Sequence, residues 1–221
     1  KTEGISSYNQ MSYESNLRSA KLESLHKKEY VEKKASIEYA QTRNYESTFK
    51  TIYGELYKYH PKALQHIADS LSEIAIKKNL DRVGFANLVV SYIQDMPYWF
   101  IVDGNKCGTG KYTGHPCIDN IPFGVLSPQE VGFSAFGDCD SKALYADTVL
   151  RLRNYEPLIV ISMQYEHAML ALNIPAYGDY VSYKGKPFYF WEVTNTGWQA
   201  GMLPPRVFNK AYWKIALTYE Y

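Results

Sequence analysis

The chain has 221 residues, enough for one sizeable core with a smaller appendage. Its 24 basic and 23 acidic residues leave a net charge of +1, so no strong field recommends nucleic acid or an anionic membrane as a partner. No apolar run approaches the roughly 18 residues needed to span a bilayer.

The chain opens Lys1-Thr2-Glu3-Gly4, without an initiator methionine or a signal-like apolar block, as a processed or trimmed chain does. Membrane association is therefore expected only through an anchor ahead of Lys1. Residues 1–60 read as a polar N-terminal arm with scattered tyrosines. Leu17, Lys21, Leu22, Leu25 and Lys28 suggest a weakly amphipathic helix continuing through Val31 to Ala40. A mobile arm, a link to an anchor and a helix laid across the main domain all suit this composition. Lys27-Lys28 and Lys33-Lys34 are balanced by nearby glutamates and read as a solvated helix face.

Residues 61–221 carry stronger patterns and are taken as the main domain. Leu64, Ile67, Ala68, Leu71, Ile74 and Ala75 fall on one helical face, with Pro61 tolerated near its first turn. A second helix is expected from Asp81, with Phe85, Leu88, Val89, Tyr92 and Ile93 on its stripe, ending before Pro97. Residues 103–130 are rich in Gly, Pro and Asn and read as a long surface loop forming one wall of a cleft.

Within that loop Cys107 and Cys117 bracket a Gly-rich stretch. A disulfide there would contribute roughly 2–3 kcal/mol and imply an oxidising compartment. Two free thiols and a metal site with His115 are the alternatives, although the metal site lacks a nearby fourth ligand. If the bridge forms, Cys139 is the thiol left over.

An amphipathic helix is expected from Asp138, carrying Ala143, Leu144, Val149, Leu150 and Leu152. Strands follow over Leu158–Met163, His167–Asn173, Phe188–Thr194 and Trp213–Tyr219, with turns at Gly178-Asp179 and Lys184-Gly185-Lys186. Helices first and strands afterwards predict an α+β fold, with an antiparallel sheet packed on the Cys139 helix. The 21 tyrosines fit ordinary sheet and core use, or contact with polymers and other surfaces.

The residue types that carry chemistry are Cys139, His167 and Glu192. A helix start lowers a thiol's pKa through its unpaired N–H groups and dipole, and Asp138 is placed to cap that start. His167 would take the thiol proton and return it to the leaving amine. Glu192 would hold the imidazole in one tautomer. A carboxylate in the apolar run beside Trp191 needs a partner. Gly104 to Tyr112 has the wrong glycine spacing for a phosphate loop, and Lys111 is followed by Tyr112 instead of Ser or Thr. No Gly-x-Ser-x-Gly elbow, His-Glu-x-x-His helix or dinucleotide fingerprint occurs, and no cofactor is expected.

Three blocks carry a resemblance. They are Gly137-Asp138-Cys139-Asp140-Ser141-Lys142-Ala143, Glu166-His167-Ala168-Met169-Leu170-Ala171-Leu172 and Trp191-Glu192-Val193-Thr194-Asn195-Thr196-Gly197-Trp198. A looser fourth runs from Val90 to Tyr98. Through them residues 85–203 resemble the bacterial transglutaminase-like cysteine proteinases, a transglutaminase-core group of the papain-like superfamily. The resemblance implies a papain-like fold, a Cys139-His167-Glu192 triad and acyl transfer on protein or peptide amides. Hydrolysis is favoured over cross-linking, in a periplasmic, secreted or envelope-associated setting. A catalytically inactive binding or structural module of the envelope is the alternative.

The group's acid is usually aspartate, so either Glu192 or Asn195 orients His167, with Glu192 favoured by its alternation. Gln94 is the oxyanion donor that the resemblance implies, beside the Cys139 backbone N–H. Tyr98 and Trp99 would wall the cleft. Some members of the group bind calcium through acids flanking the cysteine, the positions of Asp138 and Asp140. Two carboxylates do not make a calcium cage, and no metal is assigned.

Overall fold

The computed structural model describes residues 45–58 and 61–220, so the helix expected from Leu17 to Ala40 and its basic pairs lie outside the described residues. The first described element is α1 (Tyr45–Lys58). Its Phe49, Ile52, Tyr53 and Leu56 recur at i, i+3, i+4 and i+7 and so share one face. Ile52 and Tyr53 are buried in the main core. Residues 45–58 are thus a helix packed on the main core.

A 3-10 turn (Pro61–Leu64) leads into α2 (Gln65–Lys77), which buries Ala68, Leu71 and Ala75 while Ile74 is left exposed. The apolar face is narrower than its spacing suggested. Helix α3 (Arg82–Gln94) begins where the Asp81 carboxylate accepts the Gly84 N–H at 2.7 Å. Phe85, Val89 and Ile93 are its buried stripe, whereas Tyr92 points outward.

The stretch expected as one loop holds more structure than that. Short strands β1 (Phe100–Ile101) and β2 (Cys117–Ile118) pair in parallel, and Cys107 is disulfide-bonded to Cys117. The bridge uses both sulfurs and so excludes the metal site with His115, whose ring instead meets Phe100 edge-on. Helix α4 (Pro128–Ser134) then opens with a complete capping box between Ser127 and Glu130.

Helix α5 (Cys139–Arg151) starts at its Asp138 cap, which accepts the Ser141 N–H at 3.0 Å. It is not amphipathic. Apart from Asp140, every residue from Cys139 to Leu150 is buried. Other elements cover it on all sides, as befits a central helix.

Five strands form one antiparallel sheet: β3 (Pro157–Ser162), β4 (His167–Leu172), β5 (Tyr180–Tyr183), β6 (Lys186–Trp191) and β7 (Lys214–Thr218). Their order is β5-β6-β4-β3-β7, so the architecture is α+β with the central helix against β3 and β4. Alternation divides the side chains between two faces. Ile159, Ile161, Ala168 and Leu170 join the helices, while Leu158, Val160, Met169 and Phe190 form a second cluster with Trp213. A bulge opposite Ile159 and Val160 leaves Ala216 as the extra residue of β7.

Beyond β6 the chain doubles back across that strand. Gly201 donates to the Phe190 carbonyl at 2.7 Å, and Asp179 donates to the Gly201 carbonyl at 2.8 Å. A Cβ on Gly201, whose φ is +86°, would lie 1.9 Å from the Tyr177 oxygen, so only glycine fits this crossing. The residues between, 192–200, are thereby pinned over one end of the sheet.

Candidate active site

His167 is the first residue of β4, and Glu192 lies one residue beyond β6, the neighbouring strand. Glu192 is therefore not a strand residue as expected, yet the two side chains meet. His167 Nε2 is 2.7 Å from Glu192 Oε2, and the other carboxylate oxygen accepts the Thr194 N–H at 2.8 Å and its hydroxyl at 2.7 Å. Burial alone would raise the Glu192 pKa. The hydrogen bond and charge of His167 and the two bonds from Thr194 outweigh it and hold the carboxyl below its ordinary value. Asn195 donates to Thr194 Oγ1 at 3.3 Å and leaves the imidazole to Glu192. With Nε2 engaged, Nδ1 is the ring nitrogen left to exchange protons.

Cys139 occupies the first helical position, where the backbone N–H has no acceptor within its helix. It lies at the floor of a cleft of about 270 Å³ walled by Tyr98, Phe100, Lys111, Tyr112 and Glu166. Lys111, on the disulfide loop, pairs with Glu166 across the rim. Tyr98 is thus a cleft wall, whereas Trp99 stacks on Phe136 with ring centroids 4.6 Å apart. The His167 ring lies edge-on to Trp213.

The thiol does not behave as its position at a helix start predicts. Cys139 is only 5 % exposed, and its hydrogen bond runs to Asp140 Oδ2 at 3.3 Å, not to His167. Burial, then the charges of Asp140 and Asp138, push the thiol pKa up, against a single opposing contact from the Ala168 N–H. Desolvation and two carboxylates outweigh the helix dipole. The fold thus brings His167 and Glu192 into direct contact and packs the Cys139 helix against the His167 strand, with the thiol proton held by Asp140.

Gln94 does not serve as the expected oxyanion donor. It is buried, and its Nε2 donates to the carbonyls of Glu192 at 2.7 Å and Trp198 at 2.9 Å. Both amide hydrogens are spent on the backbone around the acid, so Gln94 positions Glu192 instead. Trp191 Nε1 reaches the same Trp198 carbonyl at 3.1 Å.

The acids flanking the thiol do not assemble a calcium cage. Asp140 Oδ1 accepts the Tyr53 hydroxyl, Oδ2 accepts the thiol, and Asp138 is turned onto the helix start. Burial first, then the charge of Asp140, raises the Asp138 pKa. Among the described residues the one cluster with metal-ligand spacing is Cys107, Cys117 and Asp119, and the disulfide has used its sulfurs.

Two contributors carried no role in the sequence reading. Tyr53 arrives from α1, and nothing local to Cys139 announces it. Lys142 had a signal, being three residues after Cys139 on a helix otherwise crowded with apolar neighbours. Its Nζ donates to the Met96 carbonyl at 2.6 Å and the Thr194 carbonyl at 3.4 Å, which ties α5 to the acid segment. Burial lowers its pKa to about 8 from 10.5, although Glu192 and Asp95 pull the other way. The unfolded chain therefore binds the extra proton between those two values, and stability rises with pH across that window. Urea denaturation from pH 7.5 to 10 is expected to show this rise in the wild type and a flatter profile in Lys142→Met. Parallel profiles would mean that Lys142 titrates normally.

The chain matches no protein-family model, no curated protein and no solved structure.

Proposed function

We propose that the protein is a thiol acyl-transfer enzyme acting on protein or peptide amide bonds, with Cys139 as nucleophile, His167 as base and acid, and Glu192 as the group that orients it. The observation that carries this reading is the 2.7 Å contact between His167 Nε2 and the buried Glu192 carboxylate, at the start of the strand that packs against the Cys139 helix. A buried imidazole–carboxylate pair near a cysteine at a helix start is the kind of arrangement from which a thiol nucleophile is built, once the thiol proton can reach the ring.

The thiol proton passes to His167 Nδ1 as sulfur bonds to the substrate carbonyl carbon. The oxyanion is met by the Cys139 N–H. The amine then leaves with the proton from His167, and water, activated by the same ring, hydrolyses the thioester. Hydrolysis is preferred to cross-linking on the likeness to the transglutaminase-like proteinases, which also suggests the papain-like version of the α+β fold. The Cys107–Cys117 bridge suits an oxidising setting such as the periplasm, the envelope or the exterior.

A non-catalytic binding module is the second reading, favoured by the thiol's bond to Asp140 and the occupied donors of Gln94. Reaction with p-nitrophenyl acetate, followed by intact mass, separates the two. One acetyl group is expected on Cys139, forming about 10²–10⁴-fold more slowly in His167→Ala. Equal rates in the two proteins, or no adduct, would leave the binding module.

A further inference from the structure

The acid that follows the nucleophile has an unusual set of partners. Asp140 stands at the second position of α5, where a carboxylate ordinarily faces water or the free N–H groups of the first turn. Here its two oxygens face two side-chain donors, the Tyr53 hydroxyl on one and the Cys139 thiol on the other. Capping is done by Asp138, so Asp140 is not needed for it. Tyr53 is fully buried and comes from α1, outside the three blocks that resemble the cysteine proteinases. Helix α1 thus reaches the nucleophile through one carboxylate.

We propose that Asp140, held by Tyr53, is a positioning residue that keeps the Cys139 thiol in a resting state, and that reaction begins when the S–H exchanges Asp140 for His167. This rests on the acyl-transfer reading above. The exchange turns the S–H away from Asp140 and toward the strand that His167 opens, which packs against the Cys139 helix. The Tyr53 hydroxyl draws charge from Asp140 and weakens its hold on the thiol. Tyr53 itself remains a phenol, because burial and then the Asp140 charge raise its pKa. The other charged or titratable groups facing the sulfur are Asp138 and Tyr98, with Lys111 and Glu166 at the rim.

The two partners of Asp140 give opposite expectations. Removing its charge frees the thiol, and removing the tyrosine hydroxyl concentrates that charge on it. The test is the pH dependence of alkylation by iodoacetamide, in which thiolate sulfur bonds to the methylene carbon and iodide leaves. Cys139 is the free thiol, the other two cysteines being bridged, so the reading is specific. In Asp140→Asn the midpoint is expected to fall by at least one pH unit, giving about tenfold faster alkylation at pH 7. In Tyr53→Phe the midpoint is expected to rise and alkylation to slow.

Asp140→Ser repeats the first arm should the asparagine variant not fold. A midpoint that stays put or rises without the Asp140 charge, or moves the same way in both variants, overturns the proposal. Alkylation needs no substrate, so the two readings fail separately. Shifted midpoints without any acetyl adduct would remove the enzyme alone. Normal acetylation with unmoved midpoints would remove the role of Asp140 alone.

Discussion

Glu192→Gln is expected to lower the rate of Cys139 acylation by roughly 10³–10⁴-fold while barely changing the shape of the site. The reason lies in which oxygen holds which donor. The Thr194 N–H and hydroxyl both give to Oε1, so the amide oxygen of glutamine must take that place. The amide NH₂ then faces His167 Nε2 and forces it to accept. Nδ1 becomes the protonated nitrogen and can no longer receive the thiol proton. Single-turnover acetylation with p-nitrophenyl acetate measures this directly. A loss under tenfold would mean that the carboxylate does not set the tautomer.

The same substitution has a signature in stability. Glu192 has its pKa lowered on folding, so its contribution is present above the ordinary carboxylate range and is lost as pH falls through the lowered value. In the glutamine variant that acid-side loss should vanish. Denaturant midpoints between pH 6 and pH 3 would record it.

The largest expected effect on stability is at Trp191. Its indole is 1 % exposed in the main core, and its N–H holds the Trp198 carbonyl. Trp191→Ala should cost about 3–5 kcal/mol, because the cavity cannot collapse against a sheet already pinned by its neighbours. For a domain of this size that lowers the Tm by roughly 6–20 °C. Trp191→Phe refills most of the volume but loses the hydrogen bond, and should cost about 1–2 kcal/mol. Calorimetry distinguishes them, and equal losses would make the hydrogen bond, not the packing, the main contribution.

Part of the site could be read from residue order. His167 opens an alternating run and Glu192 follows an aromatic strand, so their meeting needed only that two strands be neighbours. The disulfide was likewise visible as one of three options. The state of the thiol was not, because it depends on burial by Tyr53 and Tyr98, which arrive from distant segments. Asp138 and Asp140 stood beside the thiol in the sequence, but only burial lets their charges outweigh the dipole.

Elements were missed for different reasons. The apolar positions of α1 were present at helical spacing, but the polar bulk of residues 1–60 concealed them. The Ser127-Pro128-Gln129-Glu130 signature of α4 was hidden in a segment dominated by Gly and Pro. Strand β5 fell between two recognised turns and is only four residues long. Gln94 was named an oxyanion donor by resemblance, yet its partners are carbonyls beside the acid that no spacing predicts.

The Cys107–Cys117 bridge puts the chain's sulfur atoms under contrary demands. A nucleophilic thiol is spoiled by oxidants, and thiol reductants are the usual remedy. Those reagents would here unfasten the span that carries Lys111 to its partner Glu166 at the cleft mouth. Dithiothreitol therefore keeps the Cys139 thiol reduced at the expense of the wall beside it, and a reductant-free buffer with a chelator leaves both the bridge and the thiol in the state the fold displays.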